Sequence, residues 1–311
     1  VNKISKIPAP VHSKQTVNEA FTTILQHNFD YLPQWEDAAR SWQDIEGVHQ
    51  MRVIFRRMRS ATATFRSAVP KESTSYWADE MRWLAGQLGE ARDLDVFIDE
   101  ALGAVRGKLK LPGGEELLAL AESRRAEAYE KVRSMLDGER YAQFKDGFSA
   151  WLTDSGWAVG EIGKKNRARL NSDIVPFARK ALDKQERQVL SHGAHVDVNS
   201  ASEMHQLRIE CKKMRYAAEF FSPIFSGLDT FMGHMRGLQD LLGVMNDVAV
   251  MGVLLEDLIA GSPNHKAAEY AGGVVGWRTR EYYELLQSFD DRWNEFVQAK
   301  NPWWKKSAII K

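Results

Sequence analysis

A duplication constrains this chain more than any other feature of it. Residues 48–59 read VHQMRVIFRRMR and residues 204–215 read MHQLRIECKKMR, an offset of 156. The alignment pairs His49 with His205, Arg52 with Arg208, Arg56 with Lys212, Arg57 with Lys213 and Arg59 with Arg215, and it continues through Ala61/Ala217 and Phe65/Phe221. A second ungapped block follows at an offset of 154, MRWLAGQLGEARDLDVF (81–97) against MRGLQDLLGVMNDVAVM (235–251). There Met81, Arg82, Leu84, Leu88, Gly89 and Asp93 meet Met235, Arg236, Leu238, Leu242, Gly243 and Asp247. Two blocks in the same order predict a structural unit built twice.

The unit is helical. Proline is scarce, at 9 in 311 residues, and apolar positions recur with a helical rather than an alternating period. The pattern predicts helices over 16–40 (bent near Pro33), 44–69 (closed by Pro70), 73–101, 115–136 and, after the Asp137-Gly138 break, to about 151. Four glycines and Pro112 make 103–114 a loop. The second half repeats the plan: a helix from about Ser172 to before Gly193 with Pro176 in its first turn, one from Ser200 to Ser222-Pro223, one over 229–260 and one over 264–299. Ser200 and Glu203 have the spacing of a capping box. The expectation is an all-α fold of two four-helix bundles related by an internal pseudo-twofold. Residues 1–15 form a tail, 16–160 the first bundle and 161–311 the second.

On a helical wheel at ~100° per residue with His49 at zero, Arg52, Arg56, Arg59 and Arg66 all fall between about 260° and 340°. Ile54, Phe55, Met58, Ala61, Phe65 and Val69 fall between about 120° and 240°, the face that must enter the core. His205, Arg208, Lys212 and Arg215 repeat the stripe, beside a core face of Leu207, Met214, Phe221 and Phe225. Arg57 and Lys213 project off it, toward the same ligand from the side or toward solvent. No acid lies between Glu46 and Glu72, although a solvated helix interleaves both signs. Like charges one turn apart repel by a few tenths of a kcal/mol, so the stripe predicts a polyanionic ligand that offsets the repulsion. Glu219, one turn past Arg215, is placed to orient it.

Composition limits the alternatives. Lys plus Arg and Asp plus Glu both number 42, so the net charge is zero and a generally basic nucleic-acid coat is excluded, while a local basic site is not. The single cysteine, Cys211, rules out a disulfide framework and reads as a small buried hydrophobe. No segment approaches the ~18 apolar residues of a membrane span, and residues 1–10 lack an apolar signal core. These features predict a cytoplasmic protein with no membrane association. Trp303-Trp304 reads as packing the last helix onto its bundle, and Trp77, Trp83 and Trp277 as core or bundle-edge residues.

The doubled H-x-x-R-x-x-x-[KR]-[KR]-x-R pattern, with the LGEARD and LGVMND segments, resembles the CHAD family of α-helical domains over most of the chain, from about Thr16 to Trp304. The resemblance implies two four-helix bundles whose basic helices face a central groove or pore, and binding of inorganic polyphosphate, in some members at polyphosphate granules. No E-x-E-x-K pattern or strand-rich segment accompanies it, so the likeness is to a stand-alone member. Carried over position by position, the implied polyphosphate ligands are His49, Arg52, Arg56, Arg57, Arg59, His205, Arg208, Lys212, Lys213 and Arg215, with Arg82 and Arg236 added as one matched arginine per repeat. The histidines lead the stripes and predict binding that weakens above neutral pH.

Two other classes remain as alternatives. A phosphate-transferring or phosphate-hydrolysing enzyme would use His49 or His205 as a nucleophile, but no carboxylate stands at a spacing that supplies a general acid. No catalytic role, metal or cofactor is therefore assigned. His192 and His195 read as surface-loop residues rather than metal ligands. A nucleic-acid-binding helical protein is disfavoured because the basic helices carry a core face and no aromatic platform for bases. An internal pseudo-twofold already supplies the symmetry of a dimer, so the pattern does not dictate an oligomeric state.

Overall fold

Each copy of the repeat centres on a long helix with one apolar stripe. In the computed structural model, which describes residues 8–160, 162–260 and 264–310, these are α3 (Glu46–Thr64) and α11 (Ala201–Phe221). The first half contributes α1 (Val17–Asp30), α2 (Pro33–Ser41), α3, α4 (Ser75–Gln87), α5 (Gly89–Val96), a π-helical turn (Phe97–Leu102), α6 (Gly103–Val105), α7 (Gly114–Leu136) and α8 (Glu139–Thr153). After α9 (Lys164–Leu170), the second half contributes α10 (Ile174–Gly193), α11, α12 (Leu228–Ala260), α13 (His265–Leu286) and α14 (Phe289–Gln298). Among the described residues there is no strand, only two isolated bridges. The all-α expectation holds, and the arrangement is compatible with the predicted duplication. Residues 1–7 of the expected tail, and residue 161 where the second bundle was placed, lie outside the described residues.

Local chemistry explains where the elements begin and where they depart from expectation. Thr16 and Glu19 form a full capping box at the start of α1. The helix expected to bend near Pro33 instead breaks at Tyr31-Leu32, and Pro33 becomes the first residue of α2, where its missing N–H costs nothing. At Ser200 only half of the box forms. The Ser200 hydroxyl accepts from the Glu203 N–H at 3.3 Å, but the Glu203 carboxylate takes the Asp197 N–H at 2.9 Å. The stretch expected as one helix over 73–101 is split at Leu88, and the one over 264–299 is split at Gln287-Ser288. The short α9 has no apolar period, and Leu170 is its buried residue.

The apolar wheel of α3 is buried as expected, with Ile54, Phe55, Met58, Ala61 and Phe65 inaccessible to solvent. Its start is pinned by Gly47, where a Cβ would lie 2.3 Å from the Ala39 nitrogen, so α2 and α3 touch through backbone. The core crosses the duplication. Phe65 lies 5.0 Å from Phe177 and 5.9 Å from Phe221 between ring centroids. Full burial of that ring contributes on the order of 2 kcal/mol. α3 packs on α11, α5 on α12 and α7 on α13, so both halves share one continuous core. Trp303 is buried, and its Nε1 donates to Asp183 on α10 at 2.7 Å, which ties the C-terminal segment down, whereas Trp304, expected to pack with it, is exposed. Trp77 and Trp83 pack at the core edge, while Trp277 is more exposed and donates to Glu281. Cys211 is buried, and burial pushes its thiol up to about 12.

Candidate functional site

The core faces of α3 and α11 turn toward each other, so the stripes beside them are brought together as well. Arg56 on α3 donates through Nε to the hydroxyl of Tyr216 on α11, with its guanidinium 5.9 Å from the ring centroid. Arg215 reaches the same hydroxyl at 3.4 Å and lies 5.1 Å from the same ring. Lys212 sits between them: burial pulls its ammonium down to about 7, and Arg56, Arg208 and Arg215 push it the same way against Asp247. Arg208 is half-buried and its Nε has no hydrogen-bond partner among the described residues. Burial lowers its proton affinity, Asp247 opposes, and Arg56 adds to the lowering. Four cations from the two copies thus share one partly desolvated site.

The cluster extends along α3. Arg52 donates to the Ala85 carbonyl at 2.5 Å and packs over Gly89, where a Cβ would lie 3.1 Å from Nη1. Burial lowers its proton affinity, with Asp93 opposing. Arg59 is lowered by burial and then by Arg82, and Arg66 by burial. Guanidinium groups stay charged in proteins, so these shifts record repulsion and lost water rather than neutral arginines.

The remaining expected residues are placed differently. Arg57 does not project to solvent. It is 2% exposed, donates to Asn28 on α1 at 2.9 Å and to Glu219 on α11, and lies 5.6 Å from the Phe220 ring. It ties three helices together. Lys213 is exposed and paired with buried Glu210 at 2.9 Å. Arg82 is exposed and paired with Asp79 one turn back. Arg236 is exposed and lines a cleft of about 580 Å³ with Arg57, Arg215, Glu219 and Asp240. His49 is half-buried near the start of α3. His205 is exposed on a different cleft, of about 1050 Å³, lined by Asp93, Asp257, Arg124 with its ion-pair partners Glu90 and Glu127, and apolar residues of α12. Glu219 forms an ion pair with Arg215, 3.5 Å from its Nε, without a hydrogen bond to that atom.

Sequence reasoning did not assign Tyr216, Asn28, Asp93 or Asp247 to the site. Tyr216 has Ser60 as its repeat partner, so the duplication carried no signal for it. Asp93 and Asp247 are matched in the repeat, and that match was the available signal. Among the described residues no group of His, Cys, Asp and Glu is arranged to hold a metal ion, and no helix is long and apolar enough to cross a membrane.

Comparison with known proteins agrees with this architecture. The CHAD domain profile matches residues 23–256. Two uncharacterized proteins of Mycobacterium tuberculosis are each 26% identical over 234 residues, covering 73% of this chain and 43% of theirs. The chain therefore spans less than half the length of these relatives. The crystal structure of the CHAD domain from the plant Ricinus communis superimposes with a TM-score of 0.79 and 25% identity, covering 94% of this chain and 95% of that one. PptA from Streptomyces chartreusis shares the fold, with a TM-score of 0.63 at 16% identity over 90% of this chain and all of that one. With its doubled basic helices and its all-α architecture, this chain belongs to the CHAD family.

Proposed function

We propose that the protein binds inorganic polyphosphate on the basic face formed by α3 and α11, without catalysing its turnover. Membership of a family with polyphosphate-related roles supports the class of ligand. The observation that carries the reading is the convergence of Arg56, Arg208, Lys212 and Arg215, where burial first and the neighbouring arginines second depress Lys212 to about 7. A cluster that unfavourable in the free protein is offset when oxyanions enter it. Polyphosphate offers charge and oxygens but no base edges, and guanidinium forks bind such oxygens in pairs. Arg52 and Arg59 extend the face, His49, Lys213, Arg82 and Arg236 form its periphery, His205 stands on the neighbouring cleft, and Arg57 holds the helices in place. Binding of this kind suits recruitment to polyphosphate granules.

The test is titration of the full chain with long-chain polyphosphate, using duplex DNA of equal charge as comparator. Affinity should fall by at least about tenfold between ~50 and ~200 mM salt, because phosphate contacts release counterions. Arg52→Glu combined with Arg208→Glu should weaken it roughly a hundredfold or more by placing carboxylates against phosphate. Equal affinity for DNA, or unchanged binding by the double variant, would refute the reading.

A further inference from the structure

A further run of cations stands outside the two matched basic helices. Between Glu161 and Asp173 the chain carries Lys164, Lys165, Arg167 and Arg169 and no acid. Lys164/Arg167 and Lys165/Arg169 are three and four residues apart on α9, spacings at which like charges repel. A helix of 7 residues is too short to persist by itself in water, so its neighbours impose its position. Leu170 is buried, the Arg169 guanidinium donates to the Ser67 carbonyl at 2.6 Å, and the Val17 N–H donates to the Ser172 carbonyl at 2.9 Å. That anchoring engages Arg169 and leaves the other three cations outward. Lys164, Lys165 and Arg167 are exposed, and among the described residues none of their side chains has a hydrogen-bond or ion-pair partner. Arg82, Arg106 and Arg280 are also exposed, yet each pairs with an acid.

The position of α9 relates it to the α3 stripe. Ser67 directly follows Arg66, the last cation of that stripe, so the Arg169–Ser67 hydrogen bond seats α9 at the stripe's C-terminal end. Arg66 is half-buried and donates to Thr74 at 3.2 Å, and Glu72 is the acid that acts on it. From Arg52 to Arg66 the chain rises roughly 20 Å, and α9 adds roughly 10 Å. A ligand of three phosphates covers only part of that distance, whereas a long chain covers all of it. The exposed residues of α9 are Lys164, Lys165, Arg167 and Ala168. They offer charge but neither an aromatic platform for bases nor an apolar face for a bilayer, which favours a ligand that is charge and oxygen alone.

We propose that α9 is a second contact surface for the same polyanion: a long polyphosphate chain held on α3 and α11 continues past Arg66 onto Lys164, Lys165 and Arg167. The inference rests on the polyphosphate reading and adds a dependence on length to it. Short chains are held by α3 and α11 alone. Chains long enough to reach α9 gain further contacts there, so α9 makes the protein favour long chains over short ones.

The experiment uses two triple variants of the full chain. Lys164→Gln, Lys165→Gln and Arg167→Gln together remove the three charges, while Lys164→Arg, Lys165→Arg and Arg167→Lys keep them. Parent and variants are titrated with long-chain polyphosphate, tripolyphosphate and duplex DNA over a range of salt. The neutral variant should bind the long chain about tenfold more weakly, as expected when three exposed charge contacts are lost. The slope of its log affinity against log salt should fall by about two, at ~0.7 per lost phosphate contact. Tripolyphosphate should bind it as it binds the parent, and the charge-retaining variant should match the parent throughout. Unchanged long-chain affinity in the neutral variant, or an equal loss for tripolyphosphate, would overturn the α9 contact while leaving the α3–α11 site intact. A larger loss for DNA than for polyphosphate would overturn it in favour of a nucleic-acid surface. A parent protein that binds neither polyphosphate would remove the polyphosphate reading, and the α9 contact with it.

Discussion

The hydroxyl of Tyr216 accepts a hydrogen bond from Arg56, although the two residues come from opposite copies of the duplication. Arg215 shares that hydroxyl at 3.4 Å, so one neutral oxygen holds two cations near each other in the free protein. The ring beneath adds cation–π attraction.

Replacing Tyr216 by Phe keeps the ring and removes the oxygen. The free protein should lose about 1–2 kcal/mol, as a hydrogen bond to charged groups is broken. Saturating polyphosphate should shrink the difference, because phosphate oxygens replace the lost acceptor. Urea denaturation with and without ligand measures both, and a loss that ligand leaves unchanged would deny Tyr216 this part in the site.

Glu219 offsets the charge of Arg57, which is 2% exposed, and it also holds Arg215. Glu219→Ala leaves Arg57 buried with Asn28 as its remaining polar contact. The expected cost is about 3 kcal/mol, the lower end for orphaning a buried charge, since Glu219 itself is partly exposed. A change below about 0.5 kcal/mol in chemical denaturation, the range of an ordinary surface substitution, would show that Arg57 finds other compensation.

Lys212 sets a pH dependence. In the free folded protein its ammonium is lost near 7, held down by burial and by Arg56, Arg208 and Arg215 against Asp247. In the unfolded chain it is lost near ~10.4. The unfolded state binds more protons between those values, so this group's contribution to stability rises with pH across that window. Bound phosphate favours the ammonium, so binding takes up a proton and weakens as pH rises above 7. Calorimetric titration at pH 8 in buffers of different ionisation enthalpy should register uptake approaching about one proton. Lys212→Met should abolish it, and a wild-type protein that takes up none would contradict the assignment.

Away from the site, burial pushes the fully enclosed Asp95 up to about 6, opposed by the Tyr129 hydroxyl donating at 2.7 Å and by Arg125 at 3.7 Å. The folded protein keeps a proton that the unfolded chain releases near ~4. The stabilisation is therefore full below about pH 4 and is lost as pH rises through about 6. Asp95→Asn should flatten the melting temperature across that window and still accept from Tyr129. An unchanged pH profile would place the loss elsewhere.

The helical class, the two matched basic helices and the core-facing side of each are legible in residue order alone. Those features are periodic, and both a 3.6-residue period and a repeat are written in residue order. It also marked Pro33 and Pro70 as interruptions, because proline acts on its own backbone. Packing between helices sets what each cation meets. Arg56 and Arg57 are neighbours on one helix, yet the first joins a cation cluster at Tyr216 and the second is locked to Asn28 and Glu219. A wheel places Arg57 off the stripe but cannot show that α1 and α11 cover it. Nor can it show that Asp93 and Asp247 line one cleft, since that depends on how α5 and α12 pack across the duplication. Side-chain direction along one helix follows from local geometry. The partner at the end of a long cationic side chain follows from packing between helices far apart in the chain.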